Sequence, residues 1–199
     1  SKKSFLKGKT LGITEYLAKK TKKNNKVVML IFNNKLSVSP LTTHLALKDV
    51  HKQISKQKIY QHVKLITEFY IKRFNKKPKI AITGLNPHCE SNFKNCEEEE
   101  IILPAIKKLK LKKFNVSGPF PADTVFIKDY LKKFDVIIGM YHDQVLSPMK
   151  ALFNFDAINI TLGLPFTRVS PDHGPNTFML GKNLSDPKSL INAIKFLDN

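Results

Sequence analysis

An α/β fold, with a largely parallel sheet flanked by helices, is what this sequence predicts, and three observations carry that reading. Short, β-branched apolar runs recur at residues 27–32, 79–83 and 136–138, each about the length of a buried strand. Segments with apolar residues at helical spacing lie among them, and strands that alternate with helices favour parallel pairing through crossovers. The loops downstream of these runs carry histidines, His44, His88 and His142, with turn-favouring or polar neighbours.

Taken in order, residues 1–9 are basic and lack periodicity, which reads as a loose lead-in. Residues 10–18 form a loop entering a short helix, with Thr14 placed to accept from a free backbone N–H. Residues 26–32 are a strand. Asn33-Asn34 suits a two-residue turn, because asparagine tolerates positive φ, and residues 35–39 pair back. Asp49 starts a short helix, and Ser55 caps a longer one reaching about residue 75. Ile59, Val63, Ile66, Tyr70 and Phe74 then share one face. His51 and His62, inside these helices, read as surface or packing residues rather than ligands.

Residues 79–83 make the next strand and deliver His88. The run Glu97-Glu98-Glu99-Glu100 complements the dipole at a helix start, matched by Lys107, Lys108 and Lys110 at the other end. Pro104 either kinks that helix or marks its first turn. Residues 114–116 are a brief strand, after which Pro119 and Pro121 fix a loop holding Asp123, whose local role would be to cap the next helix. Residues 185–197 read as a helix with Leu190, Ile191, Ile194 and Leu197 inward.

A chain of 199 residues suffices for one large domain or two small ones. It has no run of eighteen apolar residues, and Ser1-Lys2-Lys3 is not followed by a hydrophobic signal segment, so a soluble cytoplasmic protein is expected. Cys89 and Cys96 are then reduced thiols, without the closer pairings of cysteine zinc sites. The net charge of +18 would suit nucleic acid, yet Arg73 and Arg168 are the only arginines and the lysines are scattered. A solvated basic surface is the better reading, with neither nucleic acid nor membrane as partner. Part of the field would still help collect an anionic ligand at low salt.

The stretch Gly139-Met140-Tyr141-His142-Asp143-Gln144 draws most attention, because it closes a predicted strand. In an open α/β sheet the ligand crevice lies beyond the carboxyl ends of the strands. On its own, His142 reads as readily as a histidine satisfied by local hydrogen bonds. Three imidazoles from three loops could, however, supply the protein ligands of an open divalent-metal site. Their spacing carries no local metal signature.

Six ordered motifs add a resemblance. They are Thr42-Thr43-His44-Leu45, Gly84-Leu85-Asn86-Pro87-His88, Gly118-Pro119-Phe120-Pro121-Ala122-Asp123-Thr124, Met140-Tyr141-His142-Asp143-Gln144, the stretch from Asn159 through Gly163-Leu164-Pro165-Phe166-Thr167-Arg168, and Asp172-His173-Gly174. Together they resemble the 4-hydroxythreonine-4-phosphate dehydrogenase family, NAD-dependent enzymes of pyridoxal phosphate biosynthesis. The likeness runs from about Gly12 to the end of the chain. It implies an isocitrate/isopropylmalate dehydrogenase-like fold without the family's N-terminal domain. Residues 1–175 would be a metal- and substrate-binding domain, and residues 176–199 a segment that in the family returns toward the first domain.

The resemblance also implies a site. His44, His88 and His142 would hold a divalent cation (zinc, magnesium or cobalt), shared across the interface of a homodimer. Thr14, Lys150, Asn159 and Arg168 match substrate-binding positions, and His173 and Gly174 belong to a cofactor loop. Asp123 and Asp143 would be catalytic groups that orient ligand histidines or relay the hydroxyl proton. The implied reaction oxidises the C3 alcohol of 4-phosphooxy-L-threonine, giving a β-keto acid that decarboxylates to 3-amino-2-oxopropyl phosphate. No G-x-G-x-x-G fingerprint occurs, so NAD rests on the resemblance.

Three departures stand out: Ile13 where the family has a histidine, residues 90–96 in place of a glycine-rich loop, and Pro175-Asn176 instead of small residues. The first two keep a related dehydrogenase open, acting on erythronate or threonate 4-phosphate. A reading from another class, a non-catalytic anion or nucleic-acid binding module, predicts steeply salt-dependent DNA binding and no bound metal. Without the family's first domain, weak activity or none is expected of this chain alone.

Overall fold

The central strands read as unbroken apolar runs because helices cover both of their faces. A computed structural model describes residues 12–23, 26–90, 95–173, 179 and 181–198. Its strands are β1 (Val28–Phe32), β2 (Ser37–Pro40), β3 (Ile80–Thr83), β4 (Val116–Phe120), β5 (Val136–Gly139), β6 (Ile158–Leu162) and β7 (Arg168–Pro171). Every residue of β1, β2, β3 and β5 is buried.

These strands form one seven-stranded sheet in the order β4-β3-β5-β2-β1-β6-β7. β4, β3, β5 and β2 pair in parallel, whereas β1 opposes both β2 and β6, and β7 opposes β6. Five of the seven strands, β2 to β6, therefore run the same way, in keeping with the largely parallel sheet expected. Their carboxyl ends lie at one edge. The first residues of β1 and β7 lie at that same edge, because Val28 faces Leu162 and Arg168 faces Thr161.

The β1–β2 hairpin forms as expected, but for a different reason. Neither Asn33 nor Asn34 has positive φ. Instead the Asn33 side-chain oxygen accepts from the Lys35 N–H at 2.8 Å, an Asx turn.

The helices are α1 (Ile13–Lys20), α2 (Leu47–Val50), α3 (Lys56–Phe74), α4 (Leu103–Leu111), α5 (Lys128–Leu131), α6 (His142–Phe153) and α7 (Lys188–Asp198). Alternate strand residues point to opposite faces. Leu30, Ile80, Ile82, Ile138 and Ile160 pack with Ile59, Val63 and Ile66 of α3 and Ile106 and Leu109 of α4. On the other face, Met29, Ile31, Val38 and Ile137 meet Val145 and Met149 of α6. Ser55 caps α3 by accepting from the Lys58 N–H at 3.2 Å, and Asn75 closes it in the left-handed region at φ 49°. His62, read as a surface or packing residue, is 4% exposed within α3.

Several expectations are corrected. Gly12, not a side-chain acceptor, is the N-cap of α1, and Thr14 lies inside the helix. The acidic run begins a π-helical turn, Glu98–Ile102, whereas Pro104 takes the second of its two expected roles, in the first turn of α4, where a missing N–H is tolerated. Asp123 does not cap a helix: it lies in a turn, and α5 begins after Ile127. His142 opens a helix rather than sitting in a loop. Leu190, Ile191, Ile194 and Leu197 of α7 are between 44% and 55% exposed, because this helix docks through Ser189 and Ala193 instead.

Candidate functional site

The carboxyl edge of the sheet gathers the chemistry, and a buried amide organises it. Gln144 Oε1 accepts from the Met140 N–H at 2.6 Å and the Thr83 hydroxyl at 2.8 Å, while its Nε2 donates to the Gly84 carbonyl at 2.9 Å. The ends of β3 and β5 are thus tied together, which fixes where α6 starts and where His142 stands.

His44, from the loop after β2, comes beside His142, with ring centroids 6.1 Å apart and planes at 40°. His44 Nδ1 lies 3.1 Å from Glu15 Oε1 on α1, and His142 Nδ1 lies 2.7 Å from Asp143 Oδ1. A carboxylate only accepts, so in each ring Nδ1 is the donor and Nε2 is the nitrogen turned away from that contact. The Thr43 hydroxyl also donates to Glu15 Oε1, at 3.0 Å. Burial pushes the Glu15 carboxyl up, but the His44 contact, its own backbone and Thr43 outweigh this and hold it below its ordinary value. Thr14, Glu15, Thr43 and His44 line a cleft of ≈ 250 Å³ together with Lys58 and His62.

His88 stands at the same sheet edge but does not join the pair. It is exposed, in the Pro87–Cys89 turn, at a left-handed φ of 58°. Among the described residues no group of three His, Cys, Asp or Glu side chains comes close enough to hold a metal ion. One chain therefore presents two of the three predicted ligands side by side. Two imidazoles on one tetrahedral ion, with nitrogens ~2.0–2.1 Å from it, have centroids roughly 5 Å apart, so the His44–His142 pair at 6.1 Å stands about 1 Å wider than that spacing. The donors present fit a divalent ion as a pair, not as a closed set.

A cationic patch lies along the neighbouring strands. Arg168 Nη1 donates to Thr161 Oγ1 at 2.6 Å and to Thr14 Oγ1 at 3.3 Å. Burial draws the guanidinium pKa down and the Glu15 charge opposes that. On β6, Asn159 Oδ1 is buried without a hydrogen-bond partner among the described residues. Lys150, two turns along α6 from His142, donates to Asp172 Oδ2 at 2.6 Å and to the Asp172 carbonyl, and lies 5.3 Å from the centre of the Phe155 ring. Asp172 is 7% exposed. Burial raises its pKa, against the lowering influence of Lys150, His142 and His173. His173 packs edge-on to Phe155, with centroids 5.9 Å apart, whereas Gly174 lies outside the described residues.

The two aspartates differ. Asp143 touches His142. Asp123 is exposed in the turn after β4, near the Cys89 thiol, whose pKa rises first through burial and further through Glu98 and Asp123. Of the altered segment 90–96, residues 91–94 lie outside the described residues. Sequence reasoning missed Glu15 and Glu98 as site-building groups. Glu98 is 1% exposed, and its Oε1 accepts from the backbone N–H groups of Leu85 and Asn86 at 2.7 and 2.8 Å, bracing the loop that bears His88. Burial raises its pKa, but the hydrogen bonds from Asn86 and Leu85 prevail and lower it.

The family model for pyridoxal phosphate biosynthetic protein PdxA matches residues 2–197. The chain belongs to the PdxA family. Among its relatives, the 4-hydroxythreonine-4-phosphate dehydrogenase of Sulfurihydrogenibium sp. (strain YO3AOP1) is 46% identical over 186 residues, covering 92% of this chain and 57% of that protein. A protein from Oceanobacillus iheyensis, provisionally named D-threonate 4-phosphate dehydrogenase, is 38% identical over 92% of this chain and 55% of its own length. The crystal structure of 4-hydroxythreonine-4-phosphate dehydrogenase from Klebsiella pneumoniae superposes with a TM-score of 0.79 at 32% identity, covering 96% of this chain and 58% of that one. This PdxA-family chain thus spans little more than half the length of the relatives it matches.

Proposed function

We propose that this chain supplies the metal- and substrate-binding part of a 4-hydroxythreonine-4-phosphate dehydrogenase. The reaction is the NAD-dependent oxidation of 4-phosphooxy-L-threonine to a β-keto acid, which decarboxylates to 3-amino-2-oxopropyl phosphate. The observation that carries the reading is the His44–His142 pair, 6.1 Å between centroids and each ring held at Nδ1 by a carboxylate, at the carboxyl edge of the sheet.

In this reading His44 and His142 hold a divalent cation through Nε2, and His88 is contributed by the second protomer of a homodimer. A bound cation would supply Lewis-acid polarisation of the substrate hydroxyl, and NAD would supply the hydride acceptor. Arg168, already oriented by Thr14 and Thr161, grips an oxyanion of the substrate. The unpartnered Asn159 Oδ1 accepts from a substrate amine or hydroxyl. Lys150 binds phosphate or carboxylate once it exchanges Asp172 for the ligand. Asp143 orients His142, Asp123 is placed to relay the hydroxyl proton, and His173 and Gly174 contribute to the cofactor loop. The protein acts in the cytoplasm.

A second reading, a D-threonate or erythronate 4-phosphate dehydrogenase, draws on the Oceanobacillus relative and on Ile13, half-buried at the start of α1. NADH formation by the complete protein, compared across the three substrates after elemental analysis of material purified without chelator, decides between them. Turnover of none, with no bound metal, overturns both.

A further inference from the structure

We propose that Glu15 is a positioning residue for His44, and that Gly12 is the glycine that leaves room for the pair. The first part rests on the contact itself. Glu15 Oε1 receives His44 Nδ1 and the Thr43 hydroxyl, so one carboxylate oxygen fixes both the tautomer and the orientation of the ring.

Two further observations separate this from ordinary helix-surface pairing. Among the described residues Glu15 Oε2 is buried without a hydrogen-bond partner, a cost that a hydroxyl acceptor in its place would avoid. A Cβ at position 12 would meet Glu15 Oε2 at 2.5 Å and His44 Cε1 and Nδ1 at 3.0 Å. The Gly12 backbone, at φ −157°, is extended and open to any residue. A side chain at position 12 would therefore displace the carboxylate and crowd the imidazole, whereas the dihedral angles do not call for glycine.

The consequence is a defined ring. Free imidazole exchanges its proton between the two nitrogens. Glu15 holds the proton at Nδ1, which leaves Nε2 as the nitrogen able to coordinate, on a ring whose centroid lies 6.1 Å from that of His142. The inference rests on the proposed function only for what Nε2 binds; the tautomer itself is a property of the metal-free protein.

Long-range 15N correlation spectra of the metal-free full chain test it. His44 should be the Nδ1–H tautomer in the wild type and in Glu15→Gln, whose amide oxygen still accepts, and should shift toward Nε2–H in Glu15→Leu. Gly12→Ala, which keeps the carboxylate but displaces it, should give the same shift, and it carries the test if Glu15→Leu does not fold. Titration with Co²⁺, followed by its visible absorption, should show Kd weakened ~10–100-fold in Glu15→Leu. An unchanged His44 tautomer in both variants, or an unchanged Co²⁺ Kd in Glu15→Leu, overturns the proposal. A wild type that binds no Co²⁺ but shows the tautomer shift sinks the proposed metal function and supports the role of Glu15.

Discussion

Gln144 reaches back across 61 residues to take the Thr83 hydroxyl hydrogen at 2.8 Å, and this contact joins the ends of two parallel strands. Replacing it with leucine leaves the Met140 N–H and the Gly84 carbonyl buried and unpaired. Each such group costs about 1–3 kcal/mol, so Gln144→Leu should lower unfolding stability by roughly 2–5 kcal/mol. Urea denaturation measures this, and a loss under 1 kcal/mol would show that the amide is dispensable.

His142→Ala should abolish metal-dependent turnover of the complete enzyme while leaving the melting curve near that of the wild type, since the side chain is 37% exposed. Asp143→Asn should cost far less, only a few-fold in kcat, because the carboxylate is 78% exposed and its pairing is screened by water. Steady-state kinetics with and without added zinc separate the two, and retained activity with bound metal in His142→Ala would contradict the ligand assignment.

Burial pushes the His62 pKa down to about 4, helped by the charge of Lys58 and opposed by hydrogen bonding with the Lys58 and Pro40 carbonyls. The unfolded histidine titrates near 6.5, so between about 6.5 and 4 the unfolded chain binds the extra proton. Stability conferred by the neutral ring is full above the unfolded pKa and is lost as pH falls through that window, by roughly 3 kcal/mol. His62→Gln should flatten this part of the stability curve. Thermal melts at pH 7 and pH 4.5 provide the comparison.

Arg168→Lys should raise KM for a phosphorylated substrate by ~10–100-fold, because an ammonium cannot reproduce a planar fork already anchored on Thr161 and Thr14. A KM within twofold of the wild type would remove Arg168 from substrate recognition.

Glu98→Ala should free the loop at residues 84–86, leaving its buried N–H groups without an acceptor, and cost about 2–4 kcal/mol. Hydrogen exchange at Leu85 and Asn86 reports the change directly: protection equal to the wild type would mean that another group supports the loop.

Much of this was legible in the sequence. The buried strands announced themselves as β-branched runs, and α3 was outlined by Ser55, by the spacing of Ile59, Val63, Ile66 and Tyr70, and by Asn75. The start of α6 was not, because Tyr141, His142, Asp143 and Gln144 interrupt any apolar period and Pro148 stands inside the helix. Nor was the inward face of α7, whose apolar residues outnumber those the sheet can cover. The histidines and Arg168 stood out through motif resemblance. Glu15 and Glu98 did not, since an acidic residue in the first turn of a helix already has a sufficient local explanation in the dipole. Only long-range contacts, 28 and 29 residues away for Glu15 and 12 and 13 for Glu98, reveal the second role.

The reversal of β7 brings the opening residue of one strand level with the closing residues of its neighbours. The guanidinium at 168 thereby follows directly on the short turn 163–167, whereas the two imidazoles stand elsewhere, His44 in the loop after β2 and His142 at the start of α6. Lengthening that turn would re-aim the guanidinium without disturbing the His44–His142 pair, so the two halves of the edge can vary independently.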